Sequence, residues 1–355
     1  MSFNFGSKIK IQVFGQSHSE MIGVVIDGLP AGYIIDFDYI NAFLDRRRGR
    51  KNAYSTKRAE SDLPEVVSGI VNNKTSGAPL CVVFHNKDIK ESDYEQFRFI
   101  PRPSHADYNA YVKYNGANDI RGGGHFSGRL TLPLCFAGAV CKQLLEEKCI
   151  YIGAHIYRIN DVYDIPYDPV NVGRNDIEYT GFPVNDYPTG EKMKEMMAAV
   201  ASTGDSIGGI IECAVIGLPQ GIGWPMFNGL ENCIAQVAFA IPAVKGIEFG
   251  AGFSVAGMAG SEHNDEYYIE NGKVKLKTNH AGGILGGIST GMPLVFRAAI
   301  KPTPSIFKEQ NSVDLRTMQN VKLKIEGRHD SCIVPRAVPC IEAAAAIAII
   351  NLLEG

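Results

Sequence analysis

The chain has 355 residues, of which 45% are hydrophobic and 21% are charged, with a formal net charge of -3 at pH 7. A chain of this length can bury a sizeable core, in one large domain or in two smaller ones. The nearly balanced charge gives no global field that would attract nucleic acid or an acidic membrane surface.

The chain begins with MSFNFGSKIKIQV, which lacks the charged and then apolar layout of a signal peptide. A run of about 20 uncharged apolar residues, which a transmembrane helix needs, is not found either. The eight cysteines are dispersed and form no Cys-x-x-Cys motif, a pattern typical of reduced thiols packed in a core. We therefore expect a cytoplasmic protein that binds neither nucleic acid nor a membrane.

Apolar patterning predicts strands and helices in an irregular order along the chain. In chain order they are strands KIQVFG (10–15) and GVVIDGL (23–29), a helix at about 38–47, strand PLCVVFH (79–85), helices at about 132–148 and 190–202, strand GGIIECAVIGL (208–218), a helix at about 229–240, strands FSVAGMAG (253–260) and PLVFRAAI (293–300), and a helix at about 337–353. Strands and helices do not alternate regularly, so a parallel doubly wound sheet is not predicted. Because no linker separates the segments, we expect one intertwined domain over residues 1–355.

The segment NDIRGGGHFSGRLT, residues 118–131, carries three consecutive glycines in front of a predicted helix. Its spacing fits neither the P-loop nor the dinucleotide-binding glycine motif. Glycines allow backbone N–H groups to approach an anion, and the helix that opens near Thr131–Pro133 offers free N–H donors. We therefore predict a site for an anion or a cofactor phosphate, with a loose connector as the alternative.

Four further segments combine cations, imidazoles and carboxylates. GQSHSE (15–20) places Ser17 and His18 at a strand exit, RPSHADY (102–108) holds His105, KPTPSI (301–306) closes a strand, and GRHDSC (327–332) holds Asp330. The fragment DRRRGRKNAYSTKR, residues 45–58, carries seven cations, which suit either a solvated helix end or a grip on phosphate and carboxylate. A histidine in such a position can act as a general acid, although a lone histidine at a strand exit, like His18, is more often a loop hydrogen bonder, and His105 fits a turn stabilised by Asp107 equally well.

These motifs, together with IPAVKGIEFG (241–250) and NHAGGILGGISTG (279–291), resemble the chorismate synthase family in order and over nearly the whole chain. The resemblance implies an α+β fold, a β-α-β sandwich with helices between two antiparallel sheets, assembled as a homotetramer. It also implies the last step of the shikimate pathway, in which 5-enolpyruvylshikimate 3-phosphate loses phosphate and a C6 hydrogen by 1,4-anti elimination to give chorismate. Reduced FMN is required without net redox change, and NADPH enters only as an indirect reductant, with an external flavin reductase as a partner.

The resemblance also assigns roles to single residues. His18 corresponds to a proton donor near the leaving phosphate, with Ser17 and Ser127 as relays. His105 corresponds to the histidine that keeps the reduced flavin correctly protonated, and Asp330 to the carboxylate that acts with flavin N5 in removing the C6 proton. The implied flavin contacts are His125, Phe126, Ser127, Pro242, Ala243, Gly286, Lys301, Pro302, Thr303, Pro304, Ser305 and Arg328. The implied substrate or NADPH contacts are Arg47, Ala53, Arg102, Arg129 and Arg336, and no metal is implied.

The chain departs from the family pattern in the glycine-rich segment. The family sequence Arg-Ser-Ser-Ala-Arg-Glu-Thr reads HFSGRLT here, with His125 in place of an arginine, and Ala53 stands where the family has a second arginine. An imidazole is shorter than a guanidinium and carries less charge, so we expect FMN binding to be weakened or re-routed. Two other classes stay open at this point, a kinase or phosphotransferase that needs Mg²⁺ and ATP, and a non-catalytic binding or assembly protein.

Overall fold

The computed structural model describes residues 3–49, 62–86, 94–327 and 329–353. Within these ranges the helices are α1 Phe37–Arg47, α2 Asp107–Lys113, α3 Thr131–Glu146, α4 Tyr187–Ser202, α5 Leu230–Ala240, α6 Gly260–His263 and α7 Val334–Leu353. The strands are β1 Asn4–Phe5, β2 Lys10–Gly15, β3 Met21–Asp27, β4 Glu65–Ser68, β5 Ile70–Val71, β6 Lys74–Thr75, β7 Leu80–His85, β8 Tyr151–Ile159, β9 Val162–Tyr163, β10 Gly209–Ile216, β11 Val244–Phe249, β12 Tyr267–Glu270, β13 Lys273–Leu276, β14 Ile284–Leu285, β15 Ile288–Ser289, β16 Leu294–Ile300, β17 Gln310–Asp314 and β18 Gln319–Leu323.

Two five-stranded antiparallel sheets form the outer layers of the fold. The first sheet has the strand order β1-β2-β3-β7-β4, and the second has the order β11-β16-β10-β8-β9. Within the first sheet Ile22 lies opposite Phe84, and within the second Cys213 lies opposite Phe296. All four side chains are fully buried or nearly so, because each sheet turns one apolar face inward.

The helices fill the space between the two sheets. Helix α3 packs on β2, β3 and β7 of the first sheet, whereas α7 packs on β8 and β10 of the second. Helices α3 and α7 also pack against each other, and α1 and α5 pack against α7. The main apolar core therefore runs from Ile9 to Ile350 through all three layers. This arrangement confirms the predicted α+β class and the β-α-β sandwich.

Helix α7 is the only helix in the described residues that is long and apolar enough to cross a membrane, although the sequence predicted no such segment. Most of it is buried inside the fold, as expected for the core helix of a layered protein. Glu342, at its centre, is fully buried and pairs with Arg46 at 2.5 Å and with Lys142 at 2.8 Å. Its buried charge is thus compensated by two cations from neighbouring helices.

One predicted strand is wrong and three strands of the second sheet were missed. FSVAGMAG forms a 3-10 helix over Gly252–Gly257 and the start of α6, because its apolar side chains face solvent, with Phe253 83% exposed. Strands β8, β9 and β11 were not predicted. In β8, glycine, histidine and arginine interrupt the apolar run, although its burial is nearly continuous.

The backbones of α3 and α7 touch at Gly138. A Cβ atom added there would lie 2.2 Å from the Cβ of Ala343 and 2.5 Å from its Cα. Such a contact cannot be relieved by a side-chain rotation, so the two helices would have to separate. We expect Gly138→Ala to lower the free energy of unfolding by about 1–3 kcal/mol, the usual cost of overpacking a core. Urea unfolding measures it, with Gly257→Ala as the matched control because a Cβ there has no neighbour within 4 Å. Equal stability of the two variants would contradict this contact.

A polar cluster is buried on the face of the second sheet that points away from α7. His155 on β8 is fully buried, with Nδ1 3.0 Å from the Asp164 carboxylate and Nε2 3.0 Å from that of Glu212. Arg297 donates to the second oxygen of Glu212 at 2.8 Å. Burial opposes protonation of His155, but the two carboxylates outweigh it and raise the pKa of His155 above its usual value.

This cluster predicts a pH dependence of stability with two limbs. Because its pKa is raised in the folded protein, His155 contributes to the free energy of unfolding. This contribution is complete below the unfolded-state pKa of about 6.5 and is lost as the pH rises through the folded-state pKa. The lowered pKa values of Asp164 and Glu212 act in the acid range, where their contribution is lost as the pH falls. We expect His155→Gln to cost about 3–5 kcal/mol near pH 6, because two buried carboxylates lose their partner.

Denaturant unfolding between about pH 2 and 9 measures both limbs. His85→Gln is the matched control, because His85 pairs with Glu65 at 2.9 Å on the exposed surface. If His155→Gln kept the wild-type alkaline decline in stability, that decline would have to come from another group.

Candidate active site

A cavity of about 700 Å³ lies where the amino-terminal ends of α3 and α7 meet the carboxyl-terminal end of α1. Helix amino termini carry partial positive charge, so this location favours an anion. Segments that are far apart in the sequence line it, as expected: 47–49, 102–109, 122–131, 239–245, 301–305 and 329–340.

Most of the predicted site residues come together in the wall of this cavity. They are Ser17, Arg47, Arg102, His105, His125, Phe126, Ser127, Arg129, Pro242, Ala243, Lys301, Thr303, Pro304, Ser305, Asp330 and Arg336. Pro302 lies between two wall residues, and Gly286 lies in the turn between β14 and β15, away from the wall. Ala53 and Arg328 lie outside the described residues. The roles given to all the predicted site residues, those in the wall included, stay predictions.

The glycine-rich segment passes between the two predicted catalytic histidines. Gly122, Gly123 and Gly124 all have positive φ, at 59°, 86° and 54°. A Cβ on Gly122 would lie 2.3 Å from His18 Nδ1, and one on Gly123 would lie 3.0 Å from His105 Cε1. Gly122 and Gly123 are therefore required for close approach, because a side chain there would press on an imidazole, and a Cβ on Gly124 would lie 2.2 Å from the Asp119 carbonyl oxygen.

His18 is buried against this segment, behind the cavity wall. Its Nδ1 lies 3.2 Å from the hydroxyl oxygen of Ser17, which itself lines the cavity. The ring of Tyr94 contacts the imidazole edge-on, with 4.9 Å between ring centroids. The backbone N–H of Ser17 donates to the carbonyl of Gly124 at 3.0 Å. Ser17 thus links the His18 ring to the cavity.

His105 is held by an ion pair between Arg102 and Asp107. Arg102 donates to both carboxylate oxygens of Asp107, at 2.7 and 2.9 Å, and Asp107 lies 2.5 Å from His105 Nδ1. Burial, followed by the charge of Arg102, lowers the pKa of His105 although Asp107 acts in the opposite direction. Burial opposes ionisation of Asp107, but hydrogen bonds from Arg102 and His105 keep its pKa low. Near pH 7 His105 is therefore a neutral imidazole beside an ionised carboxylate.

Two buried arginines meet at one carboxylate in the opposite wall. Arg129 is paired with Asp62 and donates to Asn86 at 3.0 Å. Arg47 donates from Nε to the Thr131 hydroxyl at 2.7 Å, and its Nη1 lies 3.6 Å from Asp62. Burial, together with nearby Arg336, lowers the pKa of Arg47. One carboxylate therefore faces two guanidiniums, which leaves this wall positive.

Asp330 is oriented by Arg336. The guanidinium donates from Nη1 to the Asp330 carboxylate at 2.5 Å, and its Nε donates to the carbonyl oxygen of Arg47 at 3.0 Å. Because a guanidinium is planar and presents its donors in a fixed geometry, this pair fixes the position of the Asp330 carboxylate. Asp330 is thereby tied to the same wall as Arg47.

Among the described residues, the cavity wall carries seven cations and two carboxylates, Asp62 and Asp330. The cations are Arg47, Arg48, Arg102, Arg129, Lys245, Lys301 and Arg336. Burial, with the nearby charge of Lys245, lowers the pKa of Lys301. Such an excess of positive charge in a concave wall fits a ligand with several negative charges.

His125 Nε2, Thr303 Oγ1 and His329 Nε2 are among the polar side-chain atoms of the wall that are buried without a hydrogen-bond partner in the described residues. A buried polar atom without a partner costs free energy, so these atoms fit a ligand that satisfies them. Phe3 and Tyr114 hold the His125 ring edge-on, at 5.7 and 5.3 Å between centroids. Burial lowers the pKa of His125, so this imidazole does not replace the charge of an arginine.

Several wall residues were not predicted as site residues. Lys245 and His329 stand inside quoted motifs, IPAVKG and GRHDSC, so the sequence carried a signal for both. No sequence signal marks Asp62, because only the folded structure brings it into contact with Arg47 and Arg129. Cys340 looked like one more core cysteine of the last helix.

A β-α-β sandwich whose cavity combines paired guanidiniums, neutral imidazoles and a carboxylate defines an enzyme that moves protons on a polyanionic small molecule. The model of the chorismate synthase family matches residues 9–353. The chain is 46% identical over 348 residues to chorismate synthase of Thermococcus gammatolerans, covering 98% of this chain and 96% of that protein. It is 44% identical over 359 residues to chorismate synthase of Dehalococcoides mccartyi strain 195, covering 99% and 96%.

A solved structure, the crystal structure of chorismate synthase, superposes with a TM-score of 0.75 at 26% identity, covering 98% of this chain and 92% of that one. The chain belongs to the chorismate synthase family. Its activity is accordingly that of a lyase of the shikimate pathway, which converts 5-enolpyruvylshikimate 3-phosphate to chorismate and phosphate.

Proposed function

We propose that the cavity binds reduced FMN and 5-enolpyruvylshikimate 3-phosphate together and that its own residues supply the proton transfers. The observation that carries this proposal is the charge of the cavity wall, which has seven cations and only two carboxylates. The glycine-rich segment brings two imidazoles together at the same place. The substrate carries a phosphate and two carboxylates, which matches such a wall in sign and in number of charges.

Arg47 and Arg336 are the guanidiniums we assign to the substrate anions. Both line the cavity, and Nη1 of Arg47 is buried without a hydrogen-bond partner among the described residues. Arg129 and Arg102 also line the cavity, where they hold Asp62 and Asp107 and add positive charge to the wall. Neutralising the phosphate by these cations makes it a better leaving group.

His18 is the residue we assign to protonating the departing phosphate. Its Nδ1 contacts Ser17, whose hydroxyl lies in the cavity wall, so Ser17 offers a path for the proton to the ligand. Ser127 has a second task that limits its part as a relay. Its hydroxyl oxygen accepts from the backbone N–H of Arg129 at 3.2 Å and so caps the turn that leads into α3.

Asp330 is the base we assign to the C6 proton of the substrate. Arg336 donates to one oxygen of the carboxylate and so holds this proton acceptor in the cavity wall. His105 also lies in the cavity wall, as a neutral imidazole fixed at Nδ1 by Asp107. We assign it to a hydrogen bond that keeps the bound cofactor in its correct protonation state.

The residues we assign to the flavin are His125 and Phe126 on one side and Ala243 with the Lys301–Ser305 loop on the other. Ala243 has a positive φ of 79°, held by the hydrogen bond from the Lys301 N–H to its carbonyl at 2.9 Å. Such strain in a non-glycine residue is maintained where the surroundings require it, often at a binding site. When bound, reduced FMN supplies the electron density that stabilises cationic or radical character as the C–O bond breaks.

We also propose that the chain is a single structural domain over 1–355, that it acts in the cytoplasm, and that it assembles as a homotetramer. The continuous core from Ile9 to Ile350 supports the single domain. Large apolar side chains that face solvent in the single chain support assembly, among them Met226, Phe227 and Phe253 at 75%, 85% and 83% exposed. Sedimentation equilibrium of the protein measures the oligomeric state.

The source of the flavin electrons gives the test of this function. Pure protein with photoreduced FMN and 5-enolpyruvylshikimate 3-phosphate is expected to form chorismate, and the substrate is expected to perturb the absorption spectrum of bound FMN. Aerobic protein with FMN and NADPH alone is expected to be inactive, because no dinucleotide-binding motif is found and position 53 is alanine. An external flavin reductase then supplies the electrons.

The assay measures chorismate from one protein preparation under both conditions. Robust aerobic turnover with NADPH alone would contradict the external reductase while leaving the lyase intact. Turnover that requires Mg²⁺ and ATP instead of reduced FMN would point to a phosphotransferase. Loss of the spectral change in Arg47→Ala, with FMN still bound, would assign the effect to the substrate.

A further inference from the structure

Two cysteines face each other under the floor of the cavity. Cys135 lies in the second turn of α3 and Cys340 in the second turn of α7, and their sulfur atoms are 3.6 Å apart. Cys340 lines the cavity, whereas Cys135 is fully buried behind it. The remaining six cysteines have no such partner in the described structure, where all eight are free thiols. This pair therefore differs from the other core cysteines in having both a partner and a route to solvent.

The two helices are close enough for a disulfide at this level. One turn further along both chains, Gly138 and Ala343 bring the backbones into contact. A disulfide needs a sulfur–sulfur distance of about 2.05 Å and Cα atoms about 4.4–6.8 Å apart. Small rotations of two side chains from packed, touching helices can close the remaining gap.

The surroundings make Cys340 the more nucleophilic of the two thiols. The Cys135 thiol donates a hydrogen bond to the Cys340 sulfur, and Arg47 and Arg336 lie nearby. These contacts outweigh burial and lower the pKa of Cys340, whereas burial raises the pKa of Cys135 well above its usual value. The thiolate is the form that attacks peroxides, so the pair contains one attacking and one resolving thiol.

We propose that Cys340 and Cys135 form a redox-active pair, in which a peroxide that enters through the cavity converts them to a reversible disulfide. The Cys340 thiolate attacks one peroxide oxygen, the O–O bond breaks, and hydroxide leaves with the proton of a water molecule or solvent acid, giving a sulfenic acid. Cys135 then attacks that sulfur, and its thiol proton and the departing hydroxide form water. In total, two thiols and one hydrogen peroxide give one disulfide and two waters, so the thiols are oxidised and the peroxide is reduced.

Oxidation would act on the active site through the residues around Cys340. The disulfide removes the Cys340 thiol from beside Arg47 and Arg336, together with the hydrogen bond that this thiol donates to the Arg336 carbonyl at 3.5 Å. It also pulls on the start of α3, where the Thr131 hydroxyl accepts the hydrogen bond from Arg47 Nε. The activity readout of this inference rests on the proposed function of these arginines, whereas formation of the disulfide does not.

The test treats the full-length protein with hydrogen peroxide, blocks free thiols with an alkylating reagent, and identifies cross-linked peptides by mass spectrometry. We expect a Cys135–Cys340 cross-link that dithiothreitol reverses, with a loss and recovery of activity of at least about tenfold. Cys135→Ser should keep the basal activity and form no cross-link, so that peroxide carries Cys340 on to sulfinic acid, which dithiothreitol does not reverse. Cys149→Ser, which removes an exposed thiol, should behave like the wild type.

Access through the cavity gives a second measurement. Inorganic phosphate at high concentration should slow oxidation of Cys340 several-fold while leaving oxidation of Cys149 unchanged, because only Cys340 lines the cavity. The proposal is overturned if Cys149 is oxidised and no Cys135–Cys340 cross-link forms. It is also overturned if the cross-link forms at the same rate with the cavity filled. Cys340→Ala serves as the second variant that lacks the cross-link if Cys135→Ser does not fold.

Discussion

Asp330→Asn is expected to lower kcat by about 10²–10⁴-fold, the range for loss of a positioned acid–base group, with little change in FMN binding. The amide oxygen can still accept the hydrogen bond from Arg336, so the local structure should persist. The amide cannot take a proton from the substrate. The effect should therefore fall on kcat and leave the ligand affinities near their wild-type values.

Chorismate formation under saturating reduced FMN measures kcat, and FMN titration measures the affinity. Asp314→Asn is the matched control, because Asp314 pairs with Arg316 at 2.8 Å away from the cavity. A normal turnover rate of Asp330→Asn would reduce Asp330 to an anchor for Arg336. The proton acceptor would then have to be sought among the other wall residues.

The fold could be predicted where one periodicity dominated a segment. The predicted strand KIQVFG coincides with β2 at both ends. The helices predicted at about 132–148 and 337–353 are α3 and α7, because long apolar runs of this kind predict helices that are buried on most sides. FSVAGMAG failed because glycines and small residues imitate the alternation of a strand. Strand β8 was missed because His155 interrupts its apolar run, and only the fold supplies the carboxylates that make its burial tolerable.

The sequence motifs predicted which residues line the site, but they did not predict which side chains pair with each other there. Ser17, His105, Arg129 and Asp330 all line one cavity, although the sequence separates them by up to about 300 residues. The partners Asp62 for Arg129 and Cys135 for Cys340 depend on how α1, α3 and α7 pack, which no local pattern encodes. The same limit applies to Gly122, whose role depends on the position of His18.

His105→Ala is expected to lower kcat by about 10–10⁴-fold, because it removes a neutral imidazole that Asp107 and Arg102 hold in one orientation. The ring is replaced by a void beside Gly123, and the Arg102–Asp107 pair remains, so the fold should survive. Because burial and Arg102 lower the pKa of His105, the neutral form persists below the usual value of about 6.5. The wild-type rate should thus fall only at acidic pH, where His105 becomes protonated.

In His105→Ala that acidic decline should be absent or shifted, which separates a chemical role from a purely structural one. The pH profile of kcat with photoreduced FMN measures this, and unfolding in urea checks that stability is kept. His280→Ala is the matched control, since His280 is a histidine outside the cavity wall with a carboxylate, Asp265, at 3.7 Å. If His105→Ala turned over at the wild-type rate with the same decline of kcat at acidic pH, the Arg102–His105–Asp107 unit would have only a structural role. The protonation state of the cofactor would then depend on His125 or His329, two imidazoles of the wall whose buried Nε2 atoms have no hydrogen-bond partner in the described residues.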